Sequence, residues 1–338
     1  MAESSLSVKF SDLQREIGME VGYDRNPANW TAQQKEDVNY VIKQALRSVY
    51  LPPPVDDGPS HEWSFLRPVT TLTTTAPYTT GTVTVVSGVV TLSGGTWPTY
   101  VAEDATQAEV VVGGSTYPVA SYQSTTQVTL LDTTVTAAAG SSYTVRRRWY
   151  LLSDDFAGIN GPITYDSDFT RYQGIEERSE ADIRVARQND NTANKPFYFA
   201  IVPKADVEST VEGQRWRLTF HPIPDAAYVL RYRYRRSPEV INDANPYPLG
   251  GESFGEVLLA ACLWEANKRF DDASKPELKQ EFVQRLIAAI HHDRRQFSPD
   301  SLGTNSDPNT TTDTYDASPV SKRRDFYYVK INGVIPGK

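Results

Sequence analysis

Cysteine is almost missing: Cys262 is the single one in 338 residues, so no intramolecular disulfide can form, as expected of folding in a reducing cytoplasm. It falls on an apolar helical stripe and reads as a core residue rather than a reactive thiol. Long apolar runs are missing too. No stretch approaches the roughly 18 residues of a membrane span, and Met1 to Phe10 lacks the hydrophobic region of a signal peptide, so neither export by that route nor membrane insertion is expected. Positive charge is in deficit, with 34 Lys and Arg against 42 Asp and Glu, a net charge of −8 and a pI near 5.2. Tight electrostatic binding of nucleic acid, which needs basic side chains to neutralise phosphates, is thereby disfavoured.

Histidine is scarce, at four residues. His291 and His292 sit about 100° apart on a helix without a Glu-x-x-His pattern and suit a helix C-terminus, and His61 and His221 have no ligand spacing. Gly250-Gly251 lacks the lysine of a phosphate loop. Asp154 and Asp155 are neighbours in an extended stretch and point to opposite faces. Asp166 and Asp168 could share a face, but a solvated turn accounts for them. The sequence therefore predicts no catalytic residue, no metal ligand and no cofactor.

The chain is long enough for two or three cores. Near the start, Ser11 with Gln14 and Thr31 with Gln34 have capping-box spacing ahead of apolar stripes that include Leu13, Ile17, Val38, Ile42 and Leu46, and Leu51-Pro52-Pro53-Pro54 ends the second helix. Near the end, Ser253 with Glu256 and Ser274 with Glu277 repeat the signal. They open two helices that end near Phe270 and Gln296 and carry Phe254, Leu258, Trp264, Phe282 and Leu286. Each pair buries one stripe, so the economical arrangement packs the two pairs together. Leu46, Phe254, Leu258, Trp264, Phe282 and Leu286 are then its core and interface residues.

From Thr70 to Val145 the pattern changes to period two with β-branched residues. Six strands are predicted, with Gly94-Gly95 and Gly113-Gly114 as hairpin or bulge positions. Strands are also predicted over Pro196 to Val202, Arg215 to Phe220 and Tyr228 to Arg236, the last with Arg231, Arg233 and Arg235 on one face. Glu176 to Asn194 reads as a loop or short helix. Ser298 to Ser318 is polar and aperiodic, and leads to Arg323, Arg324, Phe326, Tyr327 and Tyr328, a basic and aromatic ending suited to an arm that binds another surface. Arg146-Arg147-Arg148 reads as a solvated strand end.

The predicted fold is α+β: a discontinuous antiparallel helical bundle of N- and C-terminal helices, with an inserted small β-sandwich or barrel, a second β-rich region and an extended C-terminal arm. The divisions are 1–62, first part of the helical domain; 63–149, the Thr-rich β-module; 150–248, the β-rich region; 249–297, second part of the helical domain; and 298–338, the arm.

The order of parts resembles the head-to-tail adaptor, or head-completion, proteins of tailed bacteriophages. The resemblance is carried by Phe220-His221-Pro222-Ile223-Pro224-Asp225-Ala226-Ala227-Tyr228 leading into Leu230 to Arg236, then Pro248-Leu249-Gly250-Gly251-Glu252 and the alanine-rich helix from Val257 to Ala266. Tyr150 to Phe156 with Gly161-Pro162-Ile163 is a softer likeness. Together with the N-terminal helical segment, the resemblance covers Phe10 to Pro54 and Tyr150 to Gln296. What it implies is a structural, non-enzymatic virion subunit at the head-tail interface, assembled in the host cytoplasm. Such a subunit forms a ring of identical copies, commonly dodecameric, under the portal protein, extends the DNA channel and touches genomic DNA transiently. It offers a surface to a downstream tail, nozzle or tail-terminator protein, and the arm residues would bind the portal or a neighbouring copy. The alternative is a tail or fibre-attachment protein with a carbohydrate-binding β-module. A polysaccharide-degrading tail enzyme, with Asp166 and Asp168 converging in a groove, is a more distant one.

Overall fold

An amphipathic helix forms where an apolar stripe follows a cap, and the first two helices show both. The computed structural model describes residues 6–54, 60–166, 174–204, 213–270 and 275–296. Helix α1 (Phe10–Val21) starts two residues earlier than a cap at Ser11 predicts, because the Asp12 carboxylate accepts the backbone N–H of Lys9 at 3.1 Å and so makes Lys9 the cap. Helix α2 (Ala32–Tyr50) has the predicted box: Gln34 donates its N–H to the Thr31 hydroxyl at 3.3 Å, and Thr31 donates its own to the Gln34 side chain at 2.9 Å.

The strands follow in chain order. β1 (Val69–Thr73) precedes β2 (Thr82–Val86), β3 (Val89–Ser93), the short helix α3 (Thr99–Glu103), β4 (Ala108–Val112), β5 (Ser115–Ser124), β6 (Gln127–Leu130), β7 (Ala137–Ser141) and β8 (Tyr143–Arg147). After them come β9 (Trp149–Leu151), β10 (Phe156–Ile159), β11 (Thr164–Tyr165), β12 (Glu176–Glu177), helix α4 (Glu180–Asn189), β13 (Tyr198–Pro203), β14 (Trp216–His221) and β15 (Val229–Arg236). Helices α5 (Glu252–Phe270) and α6 (Pro276–Gln296) complete the elements. Helix α5 begins one residue before Ser253, after a turn through Gly250 and Gly251, both at positive φ. Ser274, the predicted cap of α6, lies outside the described residues. Among the described residues no helix is long and apolar enough to cross a membrane.

Strands β2 to β8 form one curled sheet, a half-barrel, in the order β7-β2-β3-β6-β5-β4-β8. Its two edge strands are consecutive in the chain and separated by Ser142 alone, so a single stretch borders both ends of the sheet. Ser87-Gly88 and Gly113-Gly114 have positive φ at both positions, the backbone that a two-residue hairpin turn demands. Gly94-Gly95 instead follows β3 on the way to α3. Strand β7 was not predicted: Ala137-Ala138-Ala139-Gly140-Ser141 has no β-branched residue, and pairing with β2 rather than local propensity extends it.

Strand β1, inside the stretch predicted as module, does not join this sheet. It pairs antiparallel with β15, whose other edge carries β10 and β11. A third sheet runs β12-β13-β14-β9 and shares a buried cluster with the β15 sheet, including Tyr150, Phe199, Phe220, Leu230 and Tyr232. On β15 the alternation is as predicted, with Leu230, Tyr232 and Tyr234 buried and Arg231 and Arg235 exposed.

Both ends of the chain supply the helical core. Leu13 and Ile17 of α1, Val38, Ile42 and Leu46 of α2, Phe254, Leu258 and Cys262 of α5, and Phe282, Leu286 and Ile290 of α6 belong to one buried cluster. Trp63 and Leu66 belong to it as well, although the predicted division at residue 63 assigned them to the module. The Trp63 indole donates to the Val49 carbonyl at 2.8 Å and meets Phe254 edge-on at 5.2 Å. Gly250 makes the entry to α5 possible: at φ +108, a Cβ there would lie 2.8 Å from the Phe254 ring and 3.0 Å from Phe65.

Candidate functional site

The polar chemistry of the molecule gathers where the half-barrel runs into the sheet that contains β9 and β14. Strands β8 and β9 are separated by Arg148 alone, so the chain passes from one β region to the next without a loop. Of the predicted solvated strand end, Arg146 is buried and Arg147 and Arg148 are half-buried, and each has a partner. Arg146 faces Glu109 across the β4–β8 ladder and pairs with it at 2.7 Å, the two side chains being 8% and 6% exposed. Arg147 stacks on Tyr150, 4.5 Å from the ring centre, and on Tyr100 at 5.2 Å, while its Nε donates to the Gln107 side chain at 2.8 Å. Arg148 lies 3.7 Å from the second Glu109 oxygen.

Helix α4 closes the junction. Ser179 caps it, accepting the Asp182 N–H at 3.1 Å, and Ile183 and Arg187, one turn apart, share its inner face. Arg187 donates to the carbonyls of Arg148 at 2.9 Å and Phe220 at 2.6 Å, and so ties β8, β9 and β14 to the helix. Burial pulls its guanidinium down to about 10, still well above neutrality, so it stays charged. The same burial, with Arg187 nearby, lowers the His221 imidazole below its ordinary value. Between α4, β14 and the end of β8 lies a cleft of about 420 Å³, lined by Glu109, Arg148, Arg184, Arg187 and Arg217 among others.

The helical residues singled out in the sequence come together: Leu46, Phe254, Leu258, Phe282 and Leu286 are buried, and half-buried Trp264 stacks on Phe282 at 5.3 Å. Arg323, Arg324, Phe326, Tyr327 and Tyr328 lie outside the described residues, as does Asp168. Asp154 and Asp155 do not face a common partner, and Asp166 is held by an arginine of β15. Asp154 pairs with Arg215, Asp155 with Arg236 at 2.7 Å, and Asp166 with Arg231. Burial raises the Cys262 thiol far above its usual range. Among the described residues no group of His, Cys, Asp or Glu could hold a metal ion.

The signals for the junction were faint: a glutamate in the apolar strand Ala108-Glu109-Val110-Val111-Val112, and Arg187 four residues after Ile183. Neither reveals the register that joins them.

No curated protein matches the chain. A family model described as SU10 adaptor protein matches residues 102–308, more than half of the chain, running from α3 through the junction and both late helices. On that match the chain belongs to the SU10 adaptor protein family, structural adaptors of bacteriophages.

Proposed function

We propose that this adaptor is a ring-forming subunit of the head-to-tail connector, seated under the portal protein, extending the DNA channel and presenting an attachment surface to a downstream tail or nozzle protein. The observation that carries this reading is the shared core of α1, α2, α5 and α6 in a chain of an adaptor family. Such a core is a rigid body, and a ring needs rigid bodies that join one patch to another around a closed rotation. The net charge of −8 fits a lumen through which DNA slides, because a basic wall would grip the phosphates. In this reading residues 298–338 form the arm, and Arg323, Arg324, Phe326, Tyr327 and Tyr328 anchor it to the portal or to the next copy. Electron micrographs of the purified protein, alone and with portal-bearing capsids, test the proposal. Rings, and added density below the portal vertex, are expected. Trimers that bind glycan and leave capsids bare would favour the fibre-attachment reading instead.

A further inference from the structure

The junction cleft holds more positive charge than its carboxylates neutralise. Of the acids on its wall, Glu109 pairs with Arg146 and Arg148, and Glu180 with Arg184 at 3.5 Å. Two further arginines line it, and among the described residues no carboxylate lies within 4.0 Å of either guanidinium: Arg187 from α4 and Arg217 from β14. Arg187 spends one nitrogen on two carbonyls, while its Nε is buried with no hydrogen-bond partner. Arg217 lies over the Trp149 ring at 5.5 Å, and its Nε is likewise buried and unpartnered.

Unmatched charge in a part-buried cleft is costly, and its complement is an oxyanion, which can accept from the Nε–H of Arg187 and from the guanidinium of Arg217. Gln188 and Asn191 on the same wall can add neutral hydrogen bonds. The volume, about 420 Å³, is that of a small-molecule or side-chain site and has room for more than a bare ion.

We propose that this cleft binds an oxyanion, a phosphate or a carboxylate, between Arg187 and Arg217, and that the bound anion fixes the half-barrel against the rest of the molecule. The ligand arrives either as a free phosphate compound or as an acidic side chain of another protein. Titrating the full chain with sodium phosphate, and separately with disodium glutarate, at constant ionic strength tests the site, with calorimetry and total tryptophan emission as readouts. Saturable binding of at least one probe is expected. Phosphate as the tighter ligand points to a phosphate compound, and glutarate to an acidic side chain. Arg217→Gln should weaken binding about tenfold or more, the worth of one charged hydrogen bond. Arg217→Lys, which keeps the charge, should recover part of it, and Arg235→Gln, on another sheet, should leave it unchanged. If neither probe saturates, or if Arg217→Gln binds as the parent does, the proposal is overturned. Arg217→Lys keeps the test decisive should the glutamine variant fold poorly.

Discussion

The half-barrel and the helical core bury their apolar side chains by opposite routes. The half-barrel is built from hairpins such as β2–β3, β4–β5 and β5–β6, each closed by a short turn, with its buried valines and leucines supplied by neighbouring strands. The helical core joins α1 and α2 to α5 and α6 across more than 200 residues of intervening chain. Local closure costs little chain entropy, whereas the distant closure is repaid when all four stripes meet. The junction between the half-barrel and the sheet containing β9 and β14 adds a buried ion pair, Arg146 with Glu109. Changes in the three places should therefore differ in kind as well as in size.

The largest effect is expected at the junction. Glu109→Gln leaves Arg146 buried beside a neutral partner, and removing one member of such a pair costs about 3–5 kcal/mol, read from denaturant melts. Next comes the helical core: Leu258→Ala, at a fully buried site, should cost about 2–5 kcal/mol and leave the half-barrel's β4 and β5 amides protected from exchange. Gly250→Ala puts a Cβ against two rings at a positive φ, and about 1–3 kcal/mol is expected from the same melts.

The smallest effect is one of pH. Because the folded state lowers the His221 imidazole, the unfolded chain takes up its proton first as pH falls. Stability is then full above the ordinary value of about 6.5 and declines below it. His221→Gln should flatten the slope of stability between about pH 7 and pH 5. An unchanged slope would remove His221 from the account.

What the sequence made legible follows from how local each signal is. The β-branched alternation marks β2 to β6 and β8 within a residue or two, and the Thr31–Gln34 box marks α2. Where the decisive partner is distant, the reading slipped. Strand β1 looks like the strands that follow it, yet its register is set by β15, some 160 residues later. Trp63 lies beyond three prolines, which hide its return to the helical core. Arg146 looks solvated until Glu109 is seen opposite, because a charge run shows nothing of what faces it. The family match likewise begins inside the half-barrel, at residue 102, whereas the resemblance read from sequence set that region aside.

The central claim is that helices from the two chain ends form one cooperative body, and native-state hydrogen exchange in Leu13→Ala tests it most directly. Leu13 is fully buried in α1, and its truncation should lower the opening free energy of α5 amides by the same amount as those of α1, about 2–5 kcal/mol, with the β3 and β6 amides unaffected. Full protection of α5 in that variant would show that the two helical pairs open independently, and would contradict the account.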